Sequence, residues 1–170
     1  TLRPAYEYTH ASNNYHAARR YFNLIDDRAV RCFVNTTHEA YWNRLKPHFG
    51  KTIQAMFTDE PSLIAINTGQ LPESVRDTIA VEDSIDPTVK PLPTVPWCDD
   101  LPRLYKERYD EDLRPKRRSL FEGNTSADRE GRRKFWSLVA DLVADRYFGT
   151  LGRWCMEHGV ASSGHGLWEE

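Results

Sequence analysis

Apolar and polar positions along the chain follow two periods, and each predicts its own elements. Val30, Phe33, Val34, Thr37, Tyr41 and Leu45 recur three or four residues apart, as on one face of an amphipathic helix. Asp26 or Asp27 supplies a cap at its start and Pro47 its end. Gly50 stands just beyond, where a left-handed residue is wanted. A second helix is expected over Leu101–Tyr109 behind Asp99 or Asp100, with Leu101, Leu104, Tyr105 and Arg108 at helical spacing. The third and longest opens at Thr125-Ser-Ala-Asp128, a capping-box pattern with Asp in place of the more usual Glu. It is expected to run to about His158, burying Phe135, Leu138, Val139, Leu142, Val143, Leu151 and Trp154, with Gly149 and Gly152 allowing a bend and Gly159 ending it.

Alternation of period two marks Ile53, Ala55 and Phe57, a half-buried strand over about 52–58. Pro61 lacks an N–H and pushes Glu60 out of the α region, so Asp59 and Glu60 fall at the strand's carboxyl end. Val160-Ala-Ser-Ser163 predicts another short strand, and Leu2 to Tyr8 a third that Pro4 confines to an edge or a strand start. Strands alternating with helices imply an α/β fold with about three parallel strands and right-handed crossovers. A closed (β/α)8 barrel needs eight strands and about 250 residues, and a lone three-stranded parallel sheet would leave one face and two edges uncovered. The chain, with no Met at its start, is therefore expected to be a piece of a longer protein. Residues 62–125, punctuated by Pro72, Pro87, Pro91, Pro93 and Pro96, are expected to form an insertion above the rim that carries Glu60.

Composition narrows the function classes. The 170 residues are 39% hydrophobic and 28% charged, the make-up of a globular domain. A formal net charge of −2 offers no excess to neutralise phosphates and argues against a nucleic-acid partner. The basic run Arg114-Pro-Lys-Arg-Arg118 is flanked by Asp110, Glu111, Asp112 and Glu122 and reads as a solvated turn. Cys32, Cys98 and Cys155 have neither disulfide nor zinc-knuckle spacing, and Cys32 and Cys155 are expected to be buried thiols on helix faces. No apolar run would span a membrane and no signal peptide is visible, which leaves a cytoplasmic location and a secreted or periplasmic one with the signal removed both open.

Candidate chemistry gathers at the strand ends. Asp59-Glu60 follows one strand; His165, Trp168 and Glu169-Glu170 follow another, and parallel strands end at the same rim. Two carboxylates facing one cleft are what glycoside hydrolysis requires. Trp97 and Trp168 suit stacking on sugar faces, and the loop holding Asn14 and Tyr15 has the make-up of a binding-site lining. Acids at strand ends also occur as plain solvated rims. His165 suits a hydrogen bond to a sugar hydroxyl, or simple packing in a Gly-rich turn. His165 and Glu169 would share a metal only on a helix, which Gly164 and Gly166 oppose. No G-x-S-x-G elbow supports a serine triad. His38, alone on a helix, reads as structural.

Phe57-Thr-Asp-Glu-Pro61 resembles the strand-end motif of retaining (β/α)8 glycoside hydrolases, in which the Glu is the acid/base. Longer stretches are similar to bacterial glycosyl hydrolases near the family 106 α-L-rhamnosidases. These are Asp27-Arg-Ala-Val-Arg-Cys-Phe33 with Thr37-His-Glu-Ala-Tyr41, Gly50-Lys-Thr-Ile53, Pro96-Trp-Cys-Asp-Asp-Leu101, Tyr109-Asp-Glu-Asp-Leu113 and Ser162-Ser-Gly-His-Gly-Leu-Trp-Glu-Glu170. The resemblance implies that residues 1–170 are one catalytic segment of a partial (β/α)8 barrel, whose remaining strands in a longer chain would be its partners. It implies a carbohydrate substrate, Glu60 as general acid, Asp59 orienting it, and Glu169 or Glu170 as a second carboxylate or a sugar or metal contact. It also implies calcium, for which Glu169 is a suitable oxygen donor; the residues themselves require no cofactor. In that clan the nucleophile follows a strand well beyond the acid/base, whereas one helix-bearing crossover separates Glu60 from Glu170. The alternatives are a non-catalytic carbohydrate-binding or structural fragment of such a barrel, and an α/β metal-dependent hydrolase.

Overall fold

The computed structural model describes residues 22–59, 61, 63 and 95–165, with the backbone of 6–7 and 65–66. In chain order the elements are β1 (Tyr6–Glu7), α1 (Asp27–Thr36), α2 (His38–Leu45) with a 3₁₀ turn (Lys46–His48), β2 (Ala55–Asp59) and β3 (Ala65–Ile66). There follow α3 (Leu101–Tyr109), a 3₁₀ stretch (Arg114–Leu120), α4 (Ser126–Leu142), a π-helical stretch (Val143–Gly149), α5 (Thr150–Glu157) and β4 (Ala161–His165). The described fold is mixed α/β, mostly helical, with a small parallel sheet of two strands, β2 and β4. The first strand does not join that sheet as expected. β1 instead pairs antiparallel with β3, Tyr6 opposite Ile66, in a separate two-stranded sheet. No described helix is long and apolar enough to cross a membrane.

The helix expected from Asp26 to Pro47 is two. Asp26 accepts from the Arg28 N–H and starts α1, and the chain bends at Thr37 (φ −108°, ψ −67°) before α2. Two adjacent β-branched residues sit at the bend, and the Thr36 hydroxyl turns back onto the Cys32 carbonyl, a competitor of the helix ladder. The buried stripe runs Val30, Val34, His38, four apart, and leaves Tyr41 exposed. Cys32 is exposed, contrary to expectation, because it lies across α1 from Val30 and Val34. Gly50 (φ +73°) and Gly159 (φ +68°) take the left-handed turns that lead toward β2 and β4.

The run Ser126–Glu157 is the spine of two cores. Phe135, Leu138, Val139 and Leu142 pack against Leu101, Tyr105, Leu113 and Leu120. Tyr147, Leu151, Trp154 and Cys155 pack against Val30, Val34 and Phe49. Val143 packs against both, while the buried residues step from Leu142 to Tyr147, five apart. An α-helix would turn that step off the face, and the π-helical stretch absorbs the extra residue. It also turns in Arg146, which donates to the Ile25 carbonyl at 2.6 Å and grips Asp100 through both nitrogens, at 3.1 and 2.6 Å. That grip holds the Asp100 carboxyl down to about 2. It also explains why Asp100, in the N-cap position of α3, makes no side-chain cap. Burial, with the Asp100 carboxylate beside it, pushes the Cys98 thiol up to about 11 and leaves it unreactive.

The capping box is formed: Asp128 N–H donates to Thr125 Oγ1 at 3.2 Å, and Thr125 N–H donates to Asp128 Oδ2 at 3.0 Å. Thr125→Ala is expected to cost about 1 kcal/mol, read as a lower denaturant midpoint at unchanged slope.

His38, only 6% exposed, lies edge-on to the rings of Phe33 and Trp154, at 5.5 and 5.0 Å. Burial holds its pKa below the usual 6.5. The unfolded chain therefore takes up this proton first as pH falls. The stability from neutral His38 is complete above pH 6.5 and declines below it, toward the lower folded value. Urea unfolding between about pH 7.5 and about pH 5.5 should show that decline, and His38→Leu should flatten it.

Candidate functional site at the paired strand ends

β2 and β4 run parallel in the register Ala55↔Ala161, Phe57↔Ser163 and Asp59↔His165, so both end at one rim. Registered neighbours point to the same face of a sheet. Met56 and Thr58 turn toward the helices, where Met56 packs on the second core and Thr58 Oγ1 lies 2.7 Å from the Tyr147 hydroxyl. Phe57, Asp59, Ser163 and His165 share the opposite, open face. This reverses the inward face expected of β2: Phe57 is 60% exposed. The π-helical stretch and α5 cover one side of the sheet, and Ile53 belongs to the turn before the strand, bridged to Phe49.

At the carboxyl end His165 Nδ1 lies 3.8 Å from Asp59 Oδ1, and the Phe57 ring meets the imidazole edge to face at 5.1 Å. That separation is beyond hydrogen-bond reach, so the two groups are neighbours that leave their polar atoms free for another partner. Their side chains are 59% and 65% exposed, and water screens their attraction. The approach of the strands depends on Gly164, since a Cβ there would overlap the Thr58 carbonyl oxygen. The result is a carboxylate, an imidazole and an aromatic ring on one open surface, a set able to hold hydroxyl groups and one face of a sugar ring.

Asp59 and His165 are thus the site residues expected from sequence that the structure brings together. Trp97 is 36% exposed and placed elsewhere, its carbonyl accepting from the Asn23 side-chain amide at 2.7 Å. Glu60, Glu169, Glu170, Trp168, Asn14 and Tyr15 lie outside the described residues. Tyr147 is the site-supporting residue left out of the expected stripe, although it lies four residues after Val143 and four before Leu151 and helical spacing could have found it. No family model, curated protein or solved structure matches the chain. Among the described residues no three His, Cys, Asp or Glu side chains are grouped to hold a metal ion. Asp59 alone falls far short of the six to eight oxygens that calcium takes.

Beside this rim, and lined by neither Asp59 nor His165, a cavity of about 420 Å³ lies between the α1–α2 helices and β2. Its walls include Phe33, His38, Tyr41, Phe49, Met56 and Phe57.

Proposed function

We propose that the chain is part of a (β/α)8-type glycoside hydrolase, with the shared carboxyl end of β2 and β4 as one side of its sugar site. The observation that carries this reading is the Asp59↔His165 register, which sets two chemically different strand ends 3.8 Å apart on one open face. Glu60 follows Asp59 directly and serves as general acid, protonating the departing glycosidic oxygen. Asp59 orients it and its field helps keep the proton on Glu60. His165 binds a ring hydroxyl, Phe57 offers the aromatic face, and Glu169 or Glu170 follows β4 as the second carboxylate. The substrate class suggested by the resemblance is a deoxyhexose glycoside of the L-rhamnoside kind. Neither β2 nor β4 has a second strand partner among the described residues, and strands from a longer chain would complete the barrel in this reading.

The exposure of Asp59 and His165 favours a second reading, a carbohydrate-binding surface without turnover, since a catalytic acid is retuned by a dry site. The two separate on Glu60→Gln with an aryl glycoside. Loss of hydrolysis with retained sugar binding supports the hydrolase. Sugar binding with no hydrolysis by the unaltered, longest natural chain supports the binding surface.

A further inference from the structure

The spine that carries both cores also carries an apolar stripe on a face that neither core uses. Trp136, Ala140, Ala144, Phe148, Gly152 and Met156 follow one another at intervals of four, and residues so spaced share a helix face. Four residues overshoot a turn of α-helix and fall short of a turn of π-helix. The π-helical stretch therefore offsets the drift of the stripe and keeps Phe148 in line with Ala140 and Ala144. The face is open: Trp136, Phe148 and Met156 are 46%, 43% and 73% exposed, and Ala140 and Ala144 are exposed with them. Trp154, whose ring meets that of His38 on α2, is buried on another side of the spine. Single exposed apolar side chains are ordinary, but a line of them over about 30 Å marks a contact surface.

We propose that two copies of the chain associate through this face, with their spines antiparallel and Trp136 of each opposite Met156 of the other. A two-fold axis between them then sets Ala140 against Gly152 and Ala144 against Phe148. Each aromatic ring meets a flexible thioether or a small residue in place of another ring. Charge selects this arrangement. Asp141 and Arg153 each stand one residue beyond the stripe, and their side chains are 60% and 56% exposed. With antiparallel spines Asp141 falls opposite Arg153 of the other copy, twice by symmetry, and Glu157 falls opposite Ser137. Parallel spines would instead bring Asp141 onto Asp141 and Arg153 onto Arg153, a like-charge contact at both places. The partners of these two residues within the chain lie at the surface. Asp141 pairs with Arg108, Arg153 lies 3.6 Å from Asp145, and water screens both pairs. Neither Asp59 nor His165 belongs to the stripe, so the inference stands whether or not the rim hydrolyses glycosides.

Sedimentation equilibrium of the full chain tests this. One two-helix contact is small for an interface, so a reversible dimer with Kd on the order of 10 µM is expected. Ala144→Glu brings two carboxylates together near the two-fold axis and should weaken the dimer about tenfold or more. Asp141→Arg and Arg153→Asp should each weaken it about three- to tenfold, because like charges then meet across the interface, and the double variant should recover most of that loss. Within one chain the two positions lie about 18 Å apart along the spine, so recovery reports a contact between copies. A chain that stays monomeric up to about fifty times the expected Kd overturns the proposal and gives the face to a helix of a longer chain. Undiminished dimerisation of Ala144→Glu, or a double variant as weak as the single ones, overturns it too. The unaltered chain and the charge pair decide the matter even if Ala144→Glu does not fold.

Discussion

Glu60→Gln is expected to lower turnover of an aryl glycoside by about 10²–10⁴-fold, the usual worth of general acid catalysis, while sugar affinity stays nearly constant. Gln keeps the size of Glu and can still hydrogen-bond a sugar, but it has no acid proton to give the leaving oxygen. The loss should therefore shrink as the aglycone becomes a better leaving group that needs less protonation. Asp59→Asn should cost less, because in this scheme Asp59 acts on Glu60 rather than on the substrate. The placement of Asp59 at the last position of β2, beside His165, makes the pair of variants informative. If Glu60→Gln keeps its turnover, Glu60 is not the acid. If both variants keep it while activity on an ester or phosphate proves sensitive to chelators, the chemistry belongs to a metal-dependent hydrolase.

What could be read from the sequence was local, and what could not depended on neighbours distant in the chain. The caps at Asp26 and Thr125, the left-handed turns at Gly50 and Gly159, and the strand before Asp59 follow from residues within a few positions of one another. The common rim of β2 and β4 followed too, from strands separated by helices. The face of β2 did not. Ile53, Ala55 and Phe57 alternate as a buried face should, but the helices cover the side of Met56 and Thr58. Alternation gives the period of a strand and leaves its sign to the tertiary fold. The π-helical stretch was hidden for a related reason: Val143, Tyr147 and Leu151 keep a four-residue spacing, so nothing in the stripe marks Val143–Gly149 as other than α-helix. His38 reads from sequence as a structural histidine and is buried as one. That its Nδ1 would be left without a hydrogen-bond partner among the described residues follows from which rings surround it, and no spacing rule announces that.

Two glycine-to-alanine changes should move stability in opposite directions. Gly152, in α5, has open space where a Cβ would go, so Gly152→Ala is expected to stabilise by about 0.5–1 kcal/mol through helix propensity. Gly164 lies opposite Thr58 in the parallel pair, and its Cβ would fall on the Thr58 carbonyl oxygen and crowd Cγ2 of the same residue. A flexible side chain could yield there, but a backbone carbonyl yields only if the strands part. Thr58 is also held from the helix side by Tyr147 at 2.7 Å, so it has little room to retreat. Gly164→Ala is therefore expected to cost about 1–3 kcal/mol, as overpacking does, and to separate His165 from Asp59 at the next register position. Thermal unfolding reads the first effect. NMR contacts between the imidazole of His165 and the ring of Phe57, 5.1 Å apart in the unaltered chain, read the second, and Gly152→Ala should leave them alone. A Gly164→Ala chain as stable as the unaltered one would mean that the two strands do not pair in this register, and the candidate site would lose the contact on which it rests.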